Sequence, residues 1–212
     1  ARIMPVVEGL LDAGVPLSVD TRKPVVMRET IAAGADMIND VNGFRAPGAV
    51  AAVAASQVGL CVMHMQGDPT TMQHAPAYTR VVDRAIQVFG AMGDRIAVLR
   101  ESGVTHDRIF IDPGIGFGKN LQHNLELLAD TRRLAVLAPV LVGVSRKSVI
   151  GKLTGRDLAD RLPGSLAAVL AAVSRGAAMA RVHDVAATCD ALRVWRAISA
   201  QEKTDGAQIL RN

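Results

Sequence analysis

Aromatic residues make up only 3% of this 212-residue chain, although half of it is hydrophobic. Its core must therefore be aliphatic, built on Ala, Val, Leu and Ile, which suits helices laid over a parallel sheet. Cysteine is almost as scarce. Cys61 and Cys189 stand far apart with no metal-ligand spacing around them, so they read as reduced packing residues rather than a disulfide or metal framework. No apolar segment approaches the roughly 20 residues that cross a bilayer. The start, ARIMPVVEGLL, has neither the basic beginning nor the small-residue cleavage site of a signal peptide. Charge is not concentrated either. The net value is +4, with no basic run interleaved with aromatics, so neither nucleic acid nor a membrane is an expected partner. A mild positive balance suits the steering of a small anion. The expectation is a soluble, cytoplasmic protein.

Short apolar runs alternate with stretches of three-to-four-residue apolar periodicity. Candidate strands are residues 16–19, 37–41, 60–65, 108–112, 140–144 and 179–182. Candidate helices are 24–33, 47–56, 78–103, 120–133, 166–176 and 185–202, after a first helix at 3–13. Gly34, Gly103 and Gly176 stand where helices end, and Asp184 where an N-cap is expected. The segment GSLAAVLAAVSRG (164–176) is apolar nearly all round, so it is either deeply buried or part of a subunit interface. Residues beyond 204 read as a frayed tail. Strand followed by helix, six times over, implies parallel pairing through right-handed crossovers. Either an open doubly wound sheet or a (β/α)8 barrel satisfies this, as a single domain spanning 1–212 with no linker. Six strands are two short of a barrel, which typically takes about 250 residues.

Each candidate strand ends in polar residues: Asp20, Asn39 and Asp40, His64, Asp112, Ser145-Arg146-Lys147, and Arg181-Val182-His183-Asp184. In a parallel α/β sheet these ends share the face where ligands bind. Asp40 and Asp184 are equally well explained as caps of the following helices. Lys147, Arg181 and His183 are not, because the positive end of a helix repels a cation. Cations beside helix N-termini instead share an anion, typically a phosphate, with the backbone N–H groups. Asp20, Asn39 and Asp112 offer acceptors to a neutral heterocycle carrying N–H groups.

Two tempting motifs fail. The loop DPGIGFGKN (112–120) has Pro113 where a phosphate loop needs its first glycine and Asn120 where it needs Ser or Thr; it lacks the third glycine of a dinucleotide fingerprint. Its glycines more simply turn the backbone beside a flat ligand, with Phe117 as a wall. His64 has no second ligand at metal spacing and reads as a core or rim histidine. Met63 and Met65 read as packing residues, Met63 as a possible pocket floor.

Taken together, SVDTRKP (18–24), MINDVNG (37–43), VMHMQGDPTTMQ (62–73), FIDPGIGFGKN (110–120), LVGVSRKSVIG (141–151), GSLAA (164–168) and RVHDV (181–185) resemble the dihydropteroate synthases of folate biosynthesis. The resemblance implies a (β/α)8 barrel, usually dimeric. It implies condensation of 7,8-dihydropterin-6-ylmethyl diphosphate with 4-aminobenzoate, releasing diphosphate with Mg²⁺ assistance, at a site where sulfonamides compete. It places Asp20, Asn39, Asp112 and Lys147 on the pterin ring, with Met63, Phe117 and Gly143 lining the slot. Arg181 and His183 would hold the diphosphate, and Lys147, Ser148 and Phe117 would border the aminobenzoate. Lys147, Asp112 and Arg181 are the residues implied in catalysis, Asp112 stabilising positive charge spreading into the ring. Arg146 has no implied role beyond a salt bridge.

The family's first two strand units, whose loops carry the Mg²⁺ and diphosphate asparagine, do not appear in this sequence. No metal ligand is therefore assigned here, and the 212 residues alone are expected to be poorly stable and inactive. Two rival readings follow. One is a pterin-binding methyltransferase domain, against which the Arg181-Val182-His183 phosphate site speaks. The other is a non-catalytic pterin-binding subunit.

Overall fold

The computed structural model describes residues 2–65 and 83–209, with side chains over 2–65 and 88–201. Six parallel strands form one sheet: β1 (Ser18–Asp20), β2 (Met37–Asp40), β3 (Gly59–Met63), β4 (Ile109–Asp112), β5 (Val140–Val142) and β6 (Ala177–Ala180). They pair in sequence order, β1 to β6. A doubly wound sheet reverses its winding at a switch point, and this one never reverses, so that alternative is excluded.

The sheet is strongly curled. Arg181, one residue past β6, reaches Asn39 on β2 at 3.4 Å. In a flat sheet those strands would lie four spacings of about 4.8 Å apart, roughly 19 Å, far beyond an arginine's reach. The result is a half-barrel whose inner face is concave.

Strand alternation then sorts the side chains. Val19, Ile38, Leu60, Val62, Ile109, Ile111, Val140 and Val142 point outward into the main aliphatic core. There they meet α2 (Pro24–Ala33), α3 (Ala49–Ala54), α4 (Asp83–Glu101) and α5 (Leu121–Ala129) through Met27, Val53, Leu99 and Leu127. Between these positions lie the inward ones: Asp20, Met37 and Asn39, Cys61 and Met63, Phe110 and Asp112, Leu141 and Gly143, Met179 and Arg181. Met37, Cys61, Leu141 and Phe110 fill the floor of the curl as a second apolar cluster. The polar inward residues therefore rise at the C-terminal rim because they come last in each strand.

Local chemistry sets the helix bounds. Pro24 opens α2, and Gly34 closes it at φ +109 with its N–H on Ile31 and Thr30 carbonyls. The expected helix at 120–133 is two, α5 and α6 (Thr131–Leu134), broken at Asp130. α8 (Leu162–Val173) begins earlier than expected because Pro163 sits in its first turn. α7 (Ser148–Thr154) was not expected at all, since its short apolar run follows a cationic turn. α9 (Val185–Ile209) continues through the segment read as a frayed tail. The first helix, α1, is Met4–Leu10. Residues 78–82 of the expected 78–103 helix, and most of VMHMQGDPTTMQ, lie outside the described residues. Among the described residues the outer edges of β1 and β6 carry no strand partner, and Met179 stands 37% exposed there.

Candidate functional site

The concave face carries a wired chain of polar groups. Asn39 donates from Nδ2 to Asp20 Oδ2 at 2.7 Å and accepts from Arg181 through Oδ1. Arg181 then donates to Asp112 Oδ2 at 2.7 Å. Asp112 is fully buried, and its other oxygen accepts the Gly114 N–H at 2.8 Å. Below this chain a cavity of about 330 Å³ opens between β1, β2, β5 and β6. Loss of water inside the curl raises the Asp20 carboxyl above its ordinary range, against the Asn39 hydrogen bond and the Arg181 charge that lower it. The Arg181 guanidinium lies flat against Gly143, where a Cβ would come within 2.9 Å of it. Any side chain at 143 would push the arginine out.

The glycine loop after β4 forms the next wall. Gly114 sits at φ +68, and a Cβ there would fall 2.0 Å from the His64 backbone oxygen. Only glycine fits. Its neighbours are held by side chains. Gly116 donates to Asn124 Oδ1 at 2.7 Å, and Asn120 caps α5 reciprocally with His123. Lys119 is 8% exposed, and its ammonium donates to the carbonyls of Gly114 and Phe117 at 2.9 Å and of His64 at 3.4 Å. Burial pushes its pKa down to about 7, with Asp112 opposing and Lys147 reinforcing the shift. Lys147 approaches from the other side. Its ammonium donates to the Ile115 carbonyl and lies 4.7 Å from the Phe117 ring centroid. Burial lowers its pKa to about 8, Asp112 raising it and Arg181 lowering it further.

Lys147 is aimed by a turn the sequence left unexplained. Arg146 adopts a left-handed backbone, φ +57, rare for a residue with a side chain. Three elements hold it there. Its N–H donates to Ser165 Oγ at 2.9 Å, its carbonyl accepts from Arg161, and its guanidinium grips both oxygens of Asp184. The salt bridge expected of Arg146 is thus a bidentate lock between the β5–α7 turn and the start of α9. Next to it, Ser145 Oγ accepts the His183 N–H at 3.2 Å and lies 3.1 Å from His183 Nδ1.

The structure brings Asp20, Asn39, Asp112, Arg181, Lys147, Phe117 and Gly143 around one mouth. Met63 is 2% exposed, opposite Asp112 in the register. His183 is exposed at the rim, and Ser148 is exposed as the first residue of α7. Asp184 spends both oxygens on Arg146, while Asp40 accepts from the Asn42 and Phe44 amides and shapes the β2–α3 loop. His64 is neutral, pushed to about 3 by burial and then by Lys119 and Arg45. Lys119, Asn124, Arg161 and Ser165 were given no role from the sequence, and Ser145 was read only as a polar strand end. A lysine directly after three left-handed glycines was the one available signal, since such turns aim carbonyls at a common point.

The profile of the pterin binding enzyme family matches residues 1–183. The chain belongs to this family. It is 47% identical to the dihydropteroate synthase of Neisseria meningitidis serogroup B over 205 residues, covering 93% of this chain and 71% of that relative. Among solved structures, dihydropteroate synthase from Xanthomonas albilineans in complex with 7,8-dihydropteroate superposes with a TM-score of 0.85 at 48% identity, over 94% of this chain and 73% of that one. The Yersinia pestis enzyme in a sulfonamide drug complex gives 0.89 at 40% identity, over 94% and 73%. For a pterin-binding chain, the concave rim of acceptors and cations is the surface with the matching chemistry.

Proposed function

We propose that this chain is a dihydropteroate synthase, joining 7,8-dihydropterin-6-ylmethyl diphosphate to 4-aminobenzoate at the concave rim. The convergence of Asp20, Asn39, Asp112, Lys147 and Arg181 on one mouth carries the proposal. A reduced pterin presents ring N–H and amino groups on one edge, which match two carboxylates and an amide oxygen. The aminobenzoate nitrogen forms the new bond to the methylene carbon as the carbon–oxygen bond to diphosphate breaks. The electron pair leaves on the diphosphate oxygen, and the amine releases a proton. Arg181 and His183 neutralise the growing negative charge, and Asp112 stabilises positive charge spreading into the ring. Lys147, over Phe117, takes the carboxylate-bearing aminobenzoate, the position for which sulfonamides compete.

Among the described residues no three His, Cys, Asp or Glu side chains converge. Mg²⁺, which one or two side-chain ligands and the diphosphate oxygens suffice to hold, would neutralise charge on the leaving group beside Arg181 and His183.

The six strand units correspond to part of a (β/α)8 barrel, a reading supported by the curl and by the sequential strand order. A homodimer is supported by an apolar groove of about 380 Å³ between α5, α7 and α8. No helix among the described residues is long and apolar enough to cross a membrane, and two unpaired cysteines suit the cytoplasm.

Calorimetric titration with the pterin diphosphate, followed by chromatography for dihydropteroate after adding 4-aminobenzoate, tests the reading. Pterin diphosphate binding supports the site, and product formation supports the whole reaction while overturning the expectation that residues 1–212 alone are inactive. Absence of pterin binding sinks the reading.

A further inference from the structure

Five hydrogen bonds from four side chains hold the glycine loop. Asp112 and Asn124 take its amides, Lys119 takes the Gly114 and Phe117 carbonyls, and Lys147 takes the Ile115 carbonyl. The two lysines differ in what they are free to do. Lys147 is half-buried at the mouth and spends one of its three donors on the Ile115 carbonyl, which leaves donors for a ligand. Lys119 is 8% exposed, with three carbonyls around its three donors, and has none left for a ligand.

We propose that Lys119 is a positioning residue for the second substrate. By clamping the His64, Gly114 and Phe117 carbonyls, it keeps the Phe117 ring in place as a wall of the aminobenzoate subsite while Lys147 turns its remaining donors to the ligand. The proposal rests on the functional reading above and extends it to a residue that touches neither substrate.

The chemistry explains why a cation stands there. Left-handed turns at Gly114, Gly116 and Gly118 bring carbonyls together that no strand or helix satisfies. An ammonium offers three donors where an amide offers two. The groups facing it are Asp112 from β4, Lys147 from the β5–α7 turn and His64, one residue past β3, which stays neutral. None forms an ion pair with Lys119 among the described residues. Its charge is balanced by carbonyl dipoles and one carboxylate at a distance, at a real cost in desolvation.

The test is calorimetry on the protein carrying Lys119→Met, Phe117→Ala or both, titrated first with the pterin diphosphate. Aminobenzoate follows, in the presence of dihydropterin and inorganic diphosphate. Lys119→Met should weaken aminobenzoate binding about tenfold, leave pterin diphosphate within about twofold, and add little to Phe117→Ala in the double variant. Equal weakening of both ligands, unchanged aminobenzoate binding, or additive losses would each overturn the proposal. Should Lys119→Met not fold, Lys119→Gln is read by the same criteria. If the unmodified chain binds neither ligand, the functional reading falls and this inference with it. If it binds both and the variants do too, only this inference falls.

Discussion

Arg181 and Asp112 meet at 2.7 Å although β5 separates their strands, and the same guanidinium reaches Asn39. The cation therefore sits on the acceptors that a pterin ring would use. On the proposed reading, ligand entry would exchange one set of donors for another and free Arg181 for the diphosphate. Arg181→Ala should therefore weaken binding of the diphosphate substrate about 10- to 100-fold. Asp112→Asn keeps the shape and the Gly114 bond but removes the charge, so it should lower turnover about 100- to 1000-fold. Steady-state kinetics separates the two. Equal effects on KM and kcat in both variants contradict the division of labour.

Lys147 provides a pH signature. Its folded pKa of about 8 lies below the ordinary 10.5, so between those values the unfolded chain keeps a proton the folded one has released. Stability from this group therefore rises with pH across that window, and below it the full cost of burying the charge is paid. An anionic ligand favours the charged form and raises the pKa, so binding near pH 9 should take up protons. Titrations in buffers of different ionisation enthalpy measure that uptake, which should vanish in Lys147→Met. Uptake that persists in the variant points to another group.

Much of this was legible in the sequence. Polar residues closing each candidate strand singled out Asp20, Asn39, Asp112 and Arg181, and alternation is why the fold turns them inward. The curl that brings β2 to β6 is a collective property of six strands and leaves no mark in any one of them. Arg146 and Lys119 were unreadable for a related reason: their partners, Asp184 and the His64 and Gly114 carbonyls, come from other turns of the chain. Local sequence shows a cation there but not what it faces.

The glycine loop makes a matched pair of stability predictions. Gly114→Ala forces a Cβ to 2.0 Å from a backbone oxygen at positive φ, and should destabilise by about 3 kcal/mol or more. Gly90→Ala, on α4 with nothing within 4 Å, should instead stabilise by about 0.5–1 kcal/mol. Denaturant unfolding at constant m-value reads both. A neutral Gly114→Ala would mean that the loop relaxes freely.

The left-handed turn at Arg146 separates backbone strain from the ion pair. Arg146→Ala keeps the strained φ and loses Asp184, so Lys147 and Ser145 should shift and turnover fall about 10- to 100-fold. Arg146→Gly loses the same partner without the strain and should retain more activity. Asp184→Asn keeps hydrogen-bond acceptance and should change least. The order Asn, Gly, Ala in kcat/KM is the readout; a reversal of Gly and Ala would remove strain from the explanation.

The groove between α5, α7 and α8 predicts an oligomeric state. α8 was expected to be deeply buried or interfacial, and Ala167 and Ala171 are exposed along it. Leu153 on α7 stands 54% exposed beside them. An apolar channel of this kind on a surface is usually covered, and a second copy brings the same groove by symmetry. Sedimentation should give twice the chain mass of 22.3 kDa. Leu153→Asp places a charge in the covered face and should shift the equilibrium to monomer while leaving calorimetric pterin binding unchanged. A wild-type chain that sediments as a monomer across the micromolar range rules out the dimer.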